Sequence, residues 1–210
     1  MMISVEKNFI FVHVAKTGGQ AMKNVLRPYA IQKAGGQWRR LLSHLPVREA
    51  IDAQLGPHTS ARWAKRKLPR GFFEHAFKFG LVRNPYDLAV SRYFFVRSRA
   101  DHHRHEDAQK QSFADFLLAQ KRRARWGEKD QTAMLCDTDG ALLVDKVYRF
   151  EKMEEAYNDI VERLELREAP PLARKNASNH ADYRSYYTDR EKALVEELWK
   201  RDIERFGYTF

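Results

Sequence analysis

Four residues with phosphate-binding chemistry stand together at Lys16-Thr17-Gly18-Gly19, directly after the apolar run Phe9-Ile10-Phe11-Val12-His13-Val14. Glycines let backbone N–H groups approach an anion. The helical pattern that opens at Gln20-Ala21-Met22 would point its positive end at the same place. Lys16 adds a full charge there. The lysine precedes the glycines, whereas the common nucleoside-triphosphate loop, GxxxxGK followed by Ser or Thr, puts it after them. On these residues alone, a tight strand-to-helix turn carrying a surface lysine is an equal reading.

A second group lies in GLVRNPYDLAVSRYFF, where Arg83 ends an apolar stretch and Ser91 falls two turns into a helix that opens at Pro85. An arginine offers a planar fork to a phosphate, and a serine adds a hydroxyl donor. Ligands of doubly wound sheets bind at the carboxyl ends of the strands, so both groups are expected on one sheet edge. The plainer readings are an Arg83–Asp87 ion pair and a Ser91 chosen for close helix packing. Of the eight histidines, His58 stands in the turn Gly56-Pro57-His58-Thr59-Ser60. Its imidazole could take a proton at cellular pH or be a turn histidine bonded through Nδ1 to the backbone. His13 falls inside the first strand and reads as packing. His102, His103 and His105 lack the spacing of a compact metal pair, and no metal is expected. His44, His75 and His180 stay undecided.

Residues 9–14 read as a central strand and 19–28 as a helix stopped by Pro28. A looser stretch, 30–45, holds Gly35-Gly36. A short helix is expected over 46–54. Another is expected over 61–67, capped by Thr59 or Ser60. Residues 76–82 form a second strand, and a long helix runs from Pro85 to about Arg99, with proline first and Asp87 in its opening turn. The polar stretch 100–110 reads as a loop and 113–124 as a helix. Asp137–Gly140 reads as a hairpin turn between strands at 132–136 and 141–149. Helices follow over 151–166 and 189–205, with a loop at 169–179 between them. Strands separated by helices give an α/β class: one domain over 1–210, with a central, mainly parallel sheet flanked by helices.

The 38 basic and 28 acidic side chains leave a net charge of +10, which favours anionic partners without choosing among them. A single cysteine, Cys136, rules out an internal disulfide framework and a cysteine-based zinc site. The opening MMISVEKN lacks the basic-then-apolar pattern of a secretory leader. No apolar run nears the roughly 18 residues of a membrane span. The expectation is a soluble cytoplasmic protein; its oligomeric state is not readable.

Taken together, VHVAKTGGQAM and VRNPYDLAVSRY resemble the two cofactor-binding elements of PAPS-dependent sulfotransferases, closer to the carbohydrate (2-O-type) enzymes and their bacterial relatives than to the small-phenol enzymes. GPHTSARWAKRKLP with FKFGLVRNP, then DTDGALLVDKVYRFEKMEEAY, and finally NHADYRSYYTDREKALVEELWKRDIERFGYTF resemble successive later parts of that family. The resemblance implies a P-loop-like sulfotransferase fold and PAPS as cofactor. It implies that Lys16, Thr17, Gly18, Gly19, Gln20 and Ala21 surround the 5′-phosphosulfate, and that Arg83 and Ser91 hold the 3′-phosphate. It aligns His58 with the histidine region that serves as base in the 2-O-type enzymes. Relatives often carry arginine where this chain has Leu88, so no extra cation is expected there. Residues 174–178 fall where related enzymes can cover the cofactor.

Sulfuryl transfer is an in-line displacement in which the bridging oxygen of the leaving phosphate gains charge, and a protein catalyses it by positioning and charge stabilisation. Lys16 is then the donor to the leaving oxygen and His58 the base for the acceptor hydroxyl, with no metal required. The acceptor is expected to be a sugar hydroxyl on a glycan or glycoside. Arg62, Lys65 and Arg66 share a helical face that could engage an acidic sugar or simply be solvated, as could Lys121, Arg122, Arg123 and Arg125. A P-loop kinase is the rival enzyme, with Lys16-Thr17 as its lysine and magnesium ligand and Leu142-Leu143-Val144-Asp145 imitating a strand that ends in the second ligand. A basic nucleic-acid-binding protein is the non-enzyme rival; its cations, however, are dispersed and no known module is visible, so no nucleic-acid partner is expected.

Overall fold

A computed structural model describes residues 1–31, 55–124, 130–172 and 181–210. The expected helix over 46–54, Gly35-Gly36, His44, His180, Arg125 and the 174–178 loop lie outside them. In chain order the elements are β1 (Met2–Ser4), β2 (Phe9–Val12), α1 (Gly19–Leu26), α2 (Ala61–Lys67), α3 (Arg70–His75) and β3 (Phe77–Val82). There follow α4 (Pro85–Ser98), α5 (His105–Lys110), α6 (Phe113–Ala124), α7 (Gln131–Leu135), β4 (Lys146–Arg149), α8 (Met153–Arg163), α9 (Asp189–Leu198) and α10 (Lys200–Phe206). By contacts the chain forms two compact units, Met1–Val82 with Ala133–Ala173, and Arg83–Thr132 with Arg174–Phe210. Among the described residues no helix is long and apolar enough to cross a membrane.

The first unit holds a mixed sheet in the order β1-β2-β3-β4. β2 runs parallel to β3, with Phe9 opposite Phe77 and Val12 opposite Gly80. β3 runs parallel to β4, with Phe79 opposite Lys146. β1, unforeseen in the sequence, adds an antiparallel edge, Met2 opposite Phe11. Strand side chains alternate between faces. Phe9, Phe11, Phe79, Leu81 and Tyr148 therefore share a core with Met22, Val25 and Leu26 of α1 and Ala156 and Ile160 of α8. That packing, with each of these residues under a tenth exposed, brings α1 back across the sheet from the end of β2. The class is α/β, as expected.

The second unit is helical. Tyr86, Ala89, Val90, Tyr93 and Val96 of α4 pack with Phe113, Phe116 and Leu117 of α6 and with Val195 of α9 and the adjoining Trp199. Asn84 caps α4 by accepting from the Tyr86 N–H, with Pro85 at the first helical position.

Four expectations fail. The strand at 132–136 is instead helix α7, because the Asp202 carboxylate accepts from the Gln131 and Thr132 N–H groups and so caps a helix start. The turn at Asp137–Gly140 is real, with Gly140 N–H to Asp137 O at 3.2 Å. However, its flanks meet only at the Cys136–Leu142 bridge, and the strand beyond it is confined to β4 and pairs with β3. Residues 100–110 contain α5, which buries one residue, Ala108, and so has too little apolar period to read. The C-terminal helix breaks at Trp199, a buried residue whose backbone sits at φ −119°, ψ 29° between α9 and α10.

Candidate active site

In the first unit, β2 leads through Lys16–Gly18 into α1. Lys16 lies in the left-handed region at φ 66° and Gly18 at φ 74°. A non-glycine residue held there costs on the order of 1–3 kcal/mol, which surrounding packing must offset. Gly18 is the N-cap of α1, which has neither a side-chain cap nor an acidic residue in its first turn. The positive end of the helix is therefore not neutralised from within. A side chain at Gly18 would overlap Met153 Cε, and one at Gly19 would overlap the His13 ring. Both glycines are thus demanded by the protein's own packing as well as by any anion. The Thr17 hydroxyl turns inward, donating to Val14 O at 3.0 Å from a fully buried residue. The Ala21 N–H is committed to Gly18 O at 3.0 Å. Gln20 is exposed and donates to Asn24 Oδ1 at 3.2 Å. Thr17 and Ala21 consequently shape the loop with their side chain and amide respectively.

His58 comes to this loop from 45 residues away. Its Nδ1 lies 3.3 Å from His13 O, and the two imidazole rings are 4.8 Å apart. A carbonyl can only accept, so in neutral His58 the proton sits on Nδ1 and the lone pair on Nε2. The backbone contact of a turn histidine is therefore present, and it is also the contact that would present Nε2 as a base. His58 is exposed. The amino group of Met1 donates to Gly56 O at 3.2 Å and Pro57 O at 2.6 Å and so holds the turn. His13 packs as expected, but past the end of β2 rather than within it, with its ring against Gly19 and beside His58. Burial, then the charges of His58, Met1 N and Lys23, push its imidazole down to about 3, so it is neutral in the native protein.

In the second unit, Arg83 is 6% exposed and forms a bidentate pair with Asp87, Nε to Oδ2 and Nη2 to Oδ1, both at 2.8 Å. The ion pair foreseen as the plainer reading exists. One helical turn beyond Asp87, on the same face of α4, Ser91 is 1% exposed and its Oγ has no hydrogen-bond partner among the described residues. Buried hydroxyls are ordinarily satisfied, so this one calls for an explanation. Gln131, 71 positions from Asp202 in sequence and 48 from Arg83, joins them: it bonds the main chain of Arg83 and is held by Asp202. No local sequence signal marks either Gln131 or Asp202.

The remaining candidates are placed elsewhere. His102 and His103 stack at 4.6 Å, and His75 Nδ1 lies 2.7 Å from Gly71 O. Among the described residues no group of three or more metal-ligating side chains converges. Ser60, rather than Thr59, caps α2. On α2, Lys65 pairs with Asp137 at 3.0 Å and Lys67 is fully buried. Lys121 pairs with Glu197. Leu88 is fully buried. Asp145 precedes β4 rather than ending a strand. Its Oδ2 accepts from the Lys78 N–H at 2.7 Å, at the start of β3, on the edge of the parallel strands opposite to Lys16.

No curated protein matches this chain. The model of a family described as the sulfotransferase family matches residues 1–209. That match takes in both the glycine loop with its lysine and the Arg83–Ser91 segment, and sulfuryl transfer is the chemistry of that family. The chain belongs to the sulfotransferase family.

Proposed function

We propose that this enzyme moves the sulfuryl group of PAPS to an acceptor hydroxyl on a carbohydrate, on a P-loop-like fold. The observation that carries the reading is Ser91 Oγ, a buried hydroxyl without a partner among the described residues, on the helix face where Arg83 and Asp87 meet. A donor left unsatisfied in a protein interior costs about 1–3 kcal/mol. A 3′-phosphate oxygen beside an arginine fork is a group that would satisfy it. The uncapped, acid-free start of α1 beside Lys16 suits the 5′ end of the same cofactor.

PAPS, when bound, supplies a sulfuryl group on a phosphate leaving group. Lys16 neutralises negative charge growing at the head of α1, and the N–H groups of the Thr17–Gly19 turn add their dipoles. His58 accepts the acceptor's proton at Nε2 while Nδ1 keeps its bond to His13 O. Gln20 lies at the rim of the loop, where its amide can meet the cofactor. Arg62 and Arg66 on α2 lie four residues apart and can face an acidic sugar. We also infer a cytoplasmic location, consistent with a chain whose lone cysteine cannot form an internal disulfide.

Two observations count against the kinase reading. The buried Thr17 hydroxyl is directed at Val14 O, and Asp145 sits at the wrong end of its strand for a second magnesium ligand. The deciding experiment is incubation with ³⁵S-labelled PAPS and a panel of glycans and glycosides, alongside thermal shifts with 3′,5′-ADP and with ATP·Mg²⁺. Label is expected on a carbohydrate, and stabilisation by 3′,5′-ADP. Stabilisation by ATP·Mg²⁺ but not by the bisphosphate would overturn the reading.

A further inference from the structure

A phosphate-binding arginine works only if its main chain is held still. Arg83 follows Val82, where β3 ends and the ladder no longer supplies partners. The Gln131 side chain takes over that task. Its Oε1 accepts from the Arg83 N–H at 2.8 Å, and its Nε2 donates to Arg83 O at 2.8 Å. Both groups of one peptide position are thus clasped by a single fully buried amide. Gln131 is fixed in turn. Its own N–H donates to Asp202 Oδ2 at 3.0 Å, and the Thr132 N–H and hydroxyl donate to Asp202 Oδ1 at 2.8 and 2.7 Å. Asp202 is fully buried, and three donors satisfy its carboxylate. Beyond the clasp, the Arg83 guanidinium is squared by Asp87. The chain Asp202–Gln131–Arg83–Asp87 therefore links the last helix to the fork through one clasped main-chain position.

We propose that Gln131, held by Asp202, is the positioning residue for Arg83 and sets the 3′-phosphate preference of the enzyme; this rests on the reading of Arg83 and Ser91 as the 3′-phosphate ligands. A network that merely held the fold would leave ligand preference alone. A network that aims the fork must appear in the discrimination between 3′,5′-ADP, which has the 3′-phosphate, and 5′-AMP, which lacks it.

The test is titration calorimetry of both nucleotides against the full-length protein. In Gln131→Leu, which keeps the volume and loses both clasping bonds, the preference for 3′,5′-ADP falls about tenfold while 5′-AMP affinity holds. Arg83→Ala abolishes the preference, and adding Gln131→Leu to it causes no further loss. Gln131→Glu keeps the acceptor but sets a carboxylate oxygen against Arg83 O. It shows the same selective loss and serves if the leucine variant does not fold. Leu117→Ala, a core truncation elsewhere in the same unit, lowers Tm and leaves the preference intact. Equal weakening of both nucleotides in the Gln131 variants, or a lowered Tm with the preference unchanged, overturns the positioning role. A wild-type protein that does not distinguish the two nucleotides overturns the phosphate assignment of Arg83 and Ser91 itself, and this inference with it.

Discussion

At the scale of single residues, catalysis and stability pull in separable directions. Ser91 keeps a buried hydroxyl without a partner among the described residues, so the native state bears its desolvation cost. Ser91→Ala is therefore expected to leave Tm unchanged or raise it, while 3′,5′-ADP affinity drops and 5′-AMP affinity does not. Calorimetry with parallel melting curves checks both halves, and a lowered Tm with normal nucleotide affinity would show the hydroxyl to be structural. His58 is exposed on a turn, so His58→Ala should fold normally and bind 3′,5′-ADP. Its kcat should fall by roughly 10²–10⁴, and near-wild-type turnover would remove His58 from the mechanism. His58 stood out in the sequence as a turn histidine before a basic helix, and the resemblance to the sulfotransferase family gave it the role of base. Its neighbour His13 read as ordinary packing, since nothing local says that a residue 45 positions away stands beside it.

At the scale of elements, the decisive unit is the β2–loop–α1 turn. Its residues are contiguous, so their types and order were legible: an apolar strand, a lysine, two glycines, a helix. What was not legible is that each glycine is pinned by packing from elsewhere, Gly18 by Met153 and Phe150, Gly19 by His13. Gly18→Ala forces a side chain into a left-handed position, with Phe150 Cδ2 2.8 Å from the new Cβ. A loss of about 1–3 kcal/mol is expected. Gly71→Ala is the control: a Cβ there meets nothing within 4 Å and α3 is a helix, so denaturant melts should show a neutral or stabilising change. Equal midpoints for the two variants would mean that the loop is more pliable than its packing implies. The α7 segment shows the opposite limit. Five residues, Gln-Thr-Ala-Met-Leu, carry too little period to choose helix or strand, and a carboxylate 70 and 71 positions on from its first two N–H donors made the choice.

At the scale of the whole molecule, acid sensitivity follows from His13. In the native protein its pKa is lowered to about 3, whereas in the unfolded chain it is near the ordinary 6.5. Between those values the unfolded state binds a proton that the native state does not. Stability therefore rises with pH across this window and is lost as pH falls from about 6.5 toward 3. The slope approaches about 1.4 kcal/mol per pH unit from this residue. Urea melts between pH 4.5 and 7 should show a shallower dependence for His13→Gln than for the wild type; parallel curves would assign the effect to other groups.

The order of apolar and polar residues along the chain, by itself, determined that strands alternate with helices, where α1, α2 and α4 begin, and that a lysine-glycine turn and an arginine-serine segment each follow a strand. Those features depend on neighbours within a few positions, where side-chain period, caps and proline act directly. Only the tertiary structure decided that β1 closes the sheet edge antiparallel, that Asp145 lies at the start of its strand, that His13 stands against His58, and that Asp202 reaches Gln131 to hold Arg83. The last two join residues 45 or more positions apart in sequence. Such pairings arise from burial and hydrogen-bond satisfaction across the folded chain, which no local window contains.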